Sequence, residues 1–128
     1  MNGILVDTSV IIDFLRRKDK EKSYFYKIFE DGIYVPVLSL VVVSELWAGK
    51  SMASKVSRKK VEKLLERCEI VFPTVDSAKR VGELLRSVNY EVSFQDVSIA
   101  VDAIENDLEL LTMNKKDFEK VDGLRLKI

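Results

Sequence analysis

Five short apolar runs, spaced along the chain between segments of helical periodicity, set the tightest limit on its fold. They are "GILV", "IYVP", "EIVFP", "LELLT" and "LRLKI". Short runs bounded by turn residues read as strands, and strands that alternate with helices argue for a parallel sheet with helices on both faces. At 128 residues the default is one domain, 1–128.

The intervening segments carry their own start and stop signals. After "GILV", Thr8 or Ser9 caps a helix whose apolar positions are Val10, Ile11, Phe14 and Leu15, running through Arg17. The charged turn "KDKEK" leads to a helix around "SYFYKIFED", which Gly32 ends. The strand "IYVP" follows. Ser39 then caps a helix to about Ala48, with Gly49 as its stop. The polar segment "KSMASKVSRKK" precedes a helix marked by Val61, Leu64 and Leu65 that ends near Cys68. Pro73 closes "EIVFP". Asp76 caps a helix carrying Ala78, Val81, Leu84, Leu85 and Val88, and Ser93 caps another through Ile104. Asn114 caps a short helix between "LELLT" and "LRLKI".

Composition removes several chemistries. The chain has no histidine, which excludes histidine bases, histidine-assisted nucleophiles and most zinc sites. One cysteine, Cys68, cannot form an intrachain disulfide; with Leu64, Leu65 and Val71 around it, it reads as a core thiol. Lys plus Arg number 21 and Asp plus Glu number 21, so a nucleic-acid footprint must be local. "VPVLSLVVVSELWAG" is too short to span a bilayer and Glu45 interrupts it; no basic leader precedes the first strand. The expectation is a soluble, cytoplasmic protein without a membrane partner.

Four carboxylates stand in positions that need explaining. Asp7 follows the first strand, at the sheet edge where ligands bind in open α/β folds, although it could simply cap the next helix. Glu45 lies among apolar neighbours in "LVVVSELWAG". A buried unpaired carboxylate costs several kcal/mol or more, so it needs a basic partner, a metal ion or the water of a cleft. Asp96 and Asp117 each lie three residues after a capping candidate, Ser93 and Asn114, which is by itself a helix-start pattern. A helix start at the carboxyl edge also points into the ligand crevice. Asp13 and Asp102 read as exposed helix faces. Carboxylates converging without histidine or paired cysteine suit Mg2+ or Mn2+, which prefer oxygen ligands.

These segments together resemble the PIN-domain nucleases. "LVDTSVIIDFL" is similar to their first motif and "LSLVVVSELWAG" to their second. "SFQDVSIAVDAIENDLELLTMNKKDF" is similar to the last, with "VDGLRL" closing the chain. In size and completeness the chain most resembles the VapC-type toxins of toxin–antitoxin pairs. The resemblance implies a three-layer α/β sandwich with a five-stranded parallel sheet, order 3-2-1-4-5, flanked by helices. It places Asp7, Glu45, Asp96 and Asp117 at the four acidic positions, as catalytic residues and ligands of Mg2+ or Mn2+. It implies cleavage of single-stranded or structured RNA, a cognate antitoxin as inhibitor, and a homodimer. The chain departs from the pattern at Phe94 and Gln95, and from Gly49 to Tyr90 it matches in pattern only.

Two basic groups fit an RNA partner: Arg16, Arg17 and Lys18, and then Lys50, Lys55, Arg58, Lys59 and Lys60. A solvated charged face is the plain alternative. Phe25 and Phe29 read as core, with Tyr24 or Tyr26 left to face a partner. The competing reading is a non-catalytic regulatory module, receiver-like or PIN-like. A receiver-like sheet needs an Asp at the end of its third strand, and "EIVFP" has none.

Overall fold

The computed structural model describes residues 2–87 and 92–127. Strand β1 (Asn2–Val6) lies at the centre of a parallel sheet ordered β3-β2-β1-β4. Its partners are β2 (Tyr34–Ser39) and β4 (Glu109–Leu111), with Ile4 facing Pro36 on one side and Glu109 on the other. Strand β3 (Glu69–Val71) pairs outside β2. Every pairing is parallel, as the strand–helix alternation predicts.

The sheet departs from the expected five strands. Among the described residues "LRLKI" makes one isolated parallel bridge, Leu110 to Leu126. Two backbone hydrogen bonds tie it down, from the Leu110 amide to the Arg125 carbonyl and from the Lys127 amide to the Leu110 carbonyl. The segment occupies the fifth position of the order without the length of a strand; Ile128 lies outside the described residues. Strand β2 runs three residues beyond Pro36. Proline is tolerated there because pairing with β3 begins only at Val37.

Helix α1 (Thr8–Arg16) starts one residue earlier than its capping candidates imply, so Asp7 is the N-cap and Thr8 already helical. Helix α2 (Tyr24–Phe29) is capped by Ser23, whose hydroxyl accepts from the Tyr26 amide, and Gly32 supplies the positive φ after it. Helix α3 (Leu40–Ala48) follows β2 directly. Within the polar segment, a 3-10 turn (Lys50–Ala53) leads to α4 (Lys55–Glu66), which Ser54 caps. That helix begins six residues before Val61, because the one apolar residue of its first turn, Val56, is exposed and sets no apolar period. Helix α5 (Val75–Ser87) is started by a reciprocal pair and not by Asp76. The Thr74 amide donates to Ser77 Oγ and the Ser77 amide to Thr74 Oγ1. Val88 lies outside the described residues. Helix α6 (Phe94–Glu105) is capped by Ser93 as expected, and α7 (Lys115–Phe118) follows β4.

The core forms around β1, whose Ile4, Leu5 and Val6 are buried with Val10, Ile11, Phe25, Leu38, Val42, Ile99 and Leu110. Burying one such side chain is worth roughly 1.5–3 kcal/mol. A smaller cluster of Val81, Val92, Val97 and Val101 holds α5 against α6. Among the described residues no helix is long and apolar enough to cross a membrane.

Candidate active site

The carboxyl ends of β1 and β4 lie side by side, and the residues just beyond them build the floor of the site. The Asp7 amide continues the ladder by donating to the Leu111 carbonyl at 2.9 Å. Its side chain is buried but makes no capping bond to α1. Two hydroxyls converge on Oδ2 instead, Ser9 at 2.8 Å and Thr112 at 2.8 Å. No hydrogen bond among the described residues falls on Oδ1. Asp7 is therefore held in orientation by one oxygen, with the other left unengaged. Ser9 and Thr112 are themselves fixed: the Met113 amide donates to Ser9 Oγ and the Asn114 amide to Thr112 Oγ1.

Glu45 comes from α3 and is half-buried. Its Oε1 accepts from Thr8 Oγ1 at 3.0 Å, which ties it to the residue after Asp7. No ion pair holds it among the described residues, which removes a salt bridge as the reason for its place in an apolar helix. It opens into a cavity of about 420 Å3 lined by Leu15, Arg16, Lys50, Met52, Lys60 and Val61.

Asp96 projects from the first turn of α6 and is half-buried. Burial raises its pKa, and the charges of Asp7, Asp117 and Glu45 raise it further, in that order. The Ser93 hydroxyl opposes them in part. Asp96 thus lies within the electrostatic reach of all three other acidic candidates. The capping geometry is also present, since the Asp96 amide donates to Ser93 Oγ at 3.1 Å; cap and carboxylate share one turn. Asp117, on α7, is exposed, and Asn114 makes no side-chain cap to that helix.

Among the described residues no three acidic or cysteine side chains stand close enough together to grip a metal ion jointly. The donor set nevertheless fits a hard divalent cation. It is all oxygen, and Asp7 has an unengaged oxygen. Magnesium keeps several of its own waters and does not require three protein oxygens at once.

The structure corrects two sequence expectations for other acids. Asp102 is buried, not exposed, and burial raises its pKa. Asp13 is half-buried: Oδ1 accepts from Arg17 Nε at 2.8 Å, while Oδ2 is buried without a partner. Both misreadings have one cause. A carboxylate on an amphipathic helix defaults to the solvent side, and only packing of the neighbouring elements shows otherwise. The basic groups also divide. Arg58 donates to the Met52 and Ala53 carbonyls and closes the 3-10 turn, and Arg17 pairs with Asp13, whereas Arg16, Lys50 and Lys60 line the cavity beside Glu45. Sequence reasoning took Ser9 only as a capping candidate and assigned no role to Thr112, though the hydroxyls beside Asp7 and at the end of "LELLT" were the signal available.

The chain is 26% identical, over an alignment 134 positions long, to the Ribonuclease VapC1 of Rickettsia felis, covering 97% of this chain and 94% of that protein. The fold matches a chain in the crystal structure of Rickettsia felis VapBC2 bound to a promoter DNA fragment, with a TM-score of 0.82 and 23% identity over 98% of this chain and 97% of that one. It also matches DNA-bound VapBC from Salmonella typhimurium, with a TM-score of 0.81 and 25% identity over 99% and 98%. The model of the PIN domain matches residues 4–124, a span that begins in β1, takes in Asp7, Glu45, Asp96 and Asp117, and ends after α7; the chain belongs to the PIN domain family.

Proposed function

We propose that the protein is an endoribonuclease that uses Mg2+ or Mn2+ to hydrolyse phosphodiester bonds in single-stranded or structured RNA, and that it is the toxin of a type II toxin–antitoxin pair. The observation that best supports this reading is the hydrogen-bonded pairing of Thr8 with Glu45 beside Asp7 at the carboxyl edge of the sheet, with the pKa of Asp96 raised by burial and by the charges of Asp7, Asp117 and Glu45. Four carboxylates have no structural reason to share a cleft, since their repulsion opposes folding. They gain one if a cation and a phosphodiester come between them.

In this reading Asp7, Glu45, Asp96 and Asp117 would hold the cation. When bound, the ion supplies Lewis acidity that activates water and neutralises charge on the leaving oxygen. Thr112 and Ser9 keep Asp7 from turning its unengaged oxygen away. Thr8 does the same for Glu45. Water adds to phosphorus, one ester P–O bond breaks, and the departing oxygen takes up a proton. Arg16, Lys50 and Lys60 attract the RNA backbone to the cleft rim, where acidic residues alone would repel it. The relatives named VapC and VapBC support the assignment to a toxin with a cognate antitoxin partner, and homodimer formation belongs to the same reading.

The test is cleavage of a defined RNA by the purified chain with Mg2+ or Mn2+, then with chelator, then with the ion restored. Asp7→Asn and Asp96→Asn are assayed beside it, with folding checked by circular dichroism. Reversible loss with chelator and loss in both folded variants are expected. Undiminished cleavage by folded Asp96→Asn overturns the assignment.

A further inference from the structure

The cavity of about 420 Å3 shares Glu45 with the acidic cleft and extends between α1, α3, the 3-10 turn and α4. Its walls are largely apolar: Ile12 and Leu15 of α1, Leu46 of α3, Met52 of the turn and Val61 of α4. The hydroxyl residues Ser51 and Ser57 stand among them, with the cations Arg16, Lys50 and Lys60. Neither serine side chain makes a hydrogen bond to a described residue other than through Ser57's own helix backbone. Among the described residues no ion pair holds any of the three cations. The lining thus combines apolar walls, two hydroxyls free to donate or accept, and three positive charges against one carboxylate.

We propose that this cavity receives one unpaired nucleobase of the RNA, from a nucleotide beside the phosphodiester that is cut, which rests on the ribonuclease reading above. Its volume lies within the roughly 300–1,000 Å3 of pockets that hold a whole small ligand, and suits a planar base with part of its ribose. Glu45 belongs both to the cavity wall and to the acidic cleft, so a group seated here lies one side chain away from the reacting phosphate. Proteins that read a splayed base hold its faces between apolar or aromatic side chains and hydrogen-bond its edge. Ile12, Leu15, Met52 and Val61 serve the faces, and Ser51 and Ser57 serve the edge. Arg16, Lys50 and Lys60 meet the phosphates on either side of that base. An apolar protein segment uses neither the cations nor the hydroxyls, which is why a nucleotide is the better occupant. Because each hydroxyl can donate or accept, purine and pyrimidine edges are both admitted. A base held in a duplex cannot enter. The substrate narrows to RNA in which the nucleotide beside the cut is unpaired, in a loop, a bulge or a single strand.

The test titrates adenosine 5′-monophosphate, uridine 5′-monophosphate and ribose 5-phosphate into the full 15N-labelled chain in chelator. Ribose 5-phosphate keeps the sugar and the charge and removes the base. Both nucleotides are expected to shift the amide resonances of Leu15, Met52, Ser57 and Val61, and to bind about tenfold or more tightly than ribose 5-phosphate. Ser57→Phe fills the cavity without touching charge; it should bring the nucleotides down to the affinity of ribose 5-phosphate and leave the latter unchanged. The comparison within the wild-type chain needs no variant, so it decides the matter even if Ser57→Phe folds poorly. In an RNA that the chain cuts, one abasic nucleotide beside the cut should lower kcat/KM by about tenfold, and abasic nucleotides elsewhere should not. Equal affinities for the nucleotides and ribose 5-phosphate overturn the proposal, as do abasic losses spread evenly along the RNA. Undiminished RNA cleavage by folded Ser57→Phe also overturns it and leaves the cavity to a protein segment. The titration contains no RNA and no metal ion, so its failure removes the base pocket alone and leaves the ribonuclease reading to the cleavage assay.

Discussion

Thr112 Oγ1 donates a hydrogen bond to Asp7 Oδ2 across 2.8 Å, joining residues 105 positions apart where β4 and β1 end side by side. The same hydroxyl oxygen accepts from the Asn114 amide and so passes the order of Asp7 to the start of α7, which carries Asp117. Thr112→Val keeps the shape and removes both bonds. Losing a hydrogen bond to a buried carboxylate is expected to cost about 1–3 kcal/mol. Chemical denaturation should show that loss, and RNA cleavage should fall more in turnover than in KM, because the residue orients a carboxylate and touches no RNA. Unchanged stability and turnover would show that Ser9 alone suffices to hold Asp7.

Asp96 gives a pH signature with a definite sign. Its ordinary value is near 3.8, and burial together with Asp7, Asp117 and Glu45 raises it in the folded chain. A carboxyl whose folded pKa is raised contributes stability that is fully present below the unfolded pKa and is lost as pH rises through the folded one. The wild-type chain in chelator should therefore lose stability relative to Asp96→Asn as pH climbs from below 3.8 into the range above the raised value. The two should converge in acid. Parallel melting curves across that range would mean that the other carboxylates do not act on Asp96. Large destabilisation of Asp96→Asn at every pH would mean that its cap with Ser93 outweighs the repulsion.

Much of this was legible in the sequence, for local reasons. Ser93, Gly32 and Gly49 mark element ends by backbone chemistry that needs no tertiary context. Parallel order follows from strands that alternate with helices. Thr74 was not legible as a cap, because its partner Ser77 is a second hydroxyl and the usual Glu or Gln is missing. The burial of Asp102 was not legible either. Its place on α6 is set by α3 and α5 packing across it, a relationship between segments far apart in the chain. The shortening of "LRLKI" to one bridge was hidden in the same way, since Leu124 and Leu126 pack against the core whether or not a ladder forms.

Cys68 offers a check on the core around β3. Burial lifts its thiol to about 11, with Arg67 opposing in part, and its Sγ donates to the Leu64 carbonyl at 3.3 Å. Only the thiolate reacts, so at pH 8 an aromatic disulfide reagent should label native Cys68 far more slowly than the denatured chain. Cys68→Ser should leave cleavage intact. Rapid labelling of the native chain would show that the end of α4 opens readily.

The basic rim separates phosphate contact from structure. Arg16 lines both the cavity beside Glu45 and the hollow beside Ser9 and Asn114, so it lies on either approach to the acidic cleft. Lys60 lines the first of these, and the pKa of Lys20 is lowered by burial and then by the Lys60 charge, which places positive groups together there. Each phosphate neutralised on a single strand adds about 0.7 to the slope of log affinity against log salt. Arg16→Ala and Lys60→Ala should each weaken RNA binding and flatten that slope by about this amount, measured with Asp7→Asn as background so that no RNA is cut. Arg58→Ala should differ: its guanidinium closes the 3-10 turn through the Met52 and Ala53 carbonyls, so it should lower stability and leave the slope unchanged. If all three variants shift the slope equally, the positive charge acts as a diffuse field and the rim makes no individual phosphate contacts.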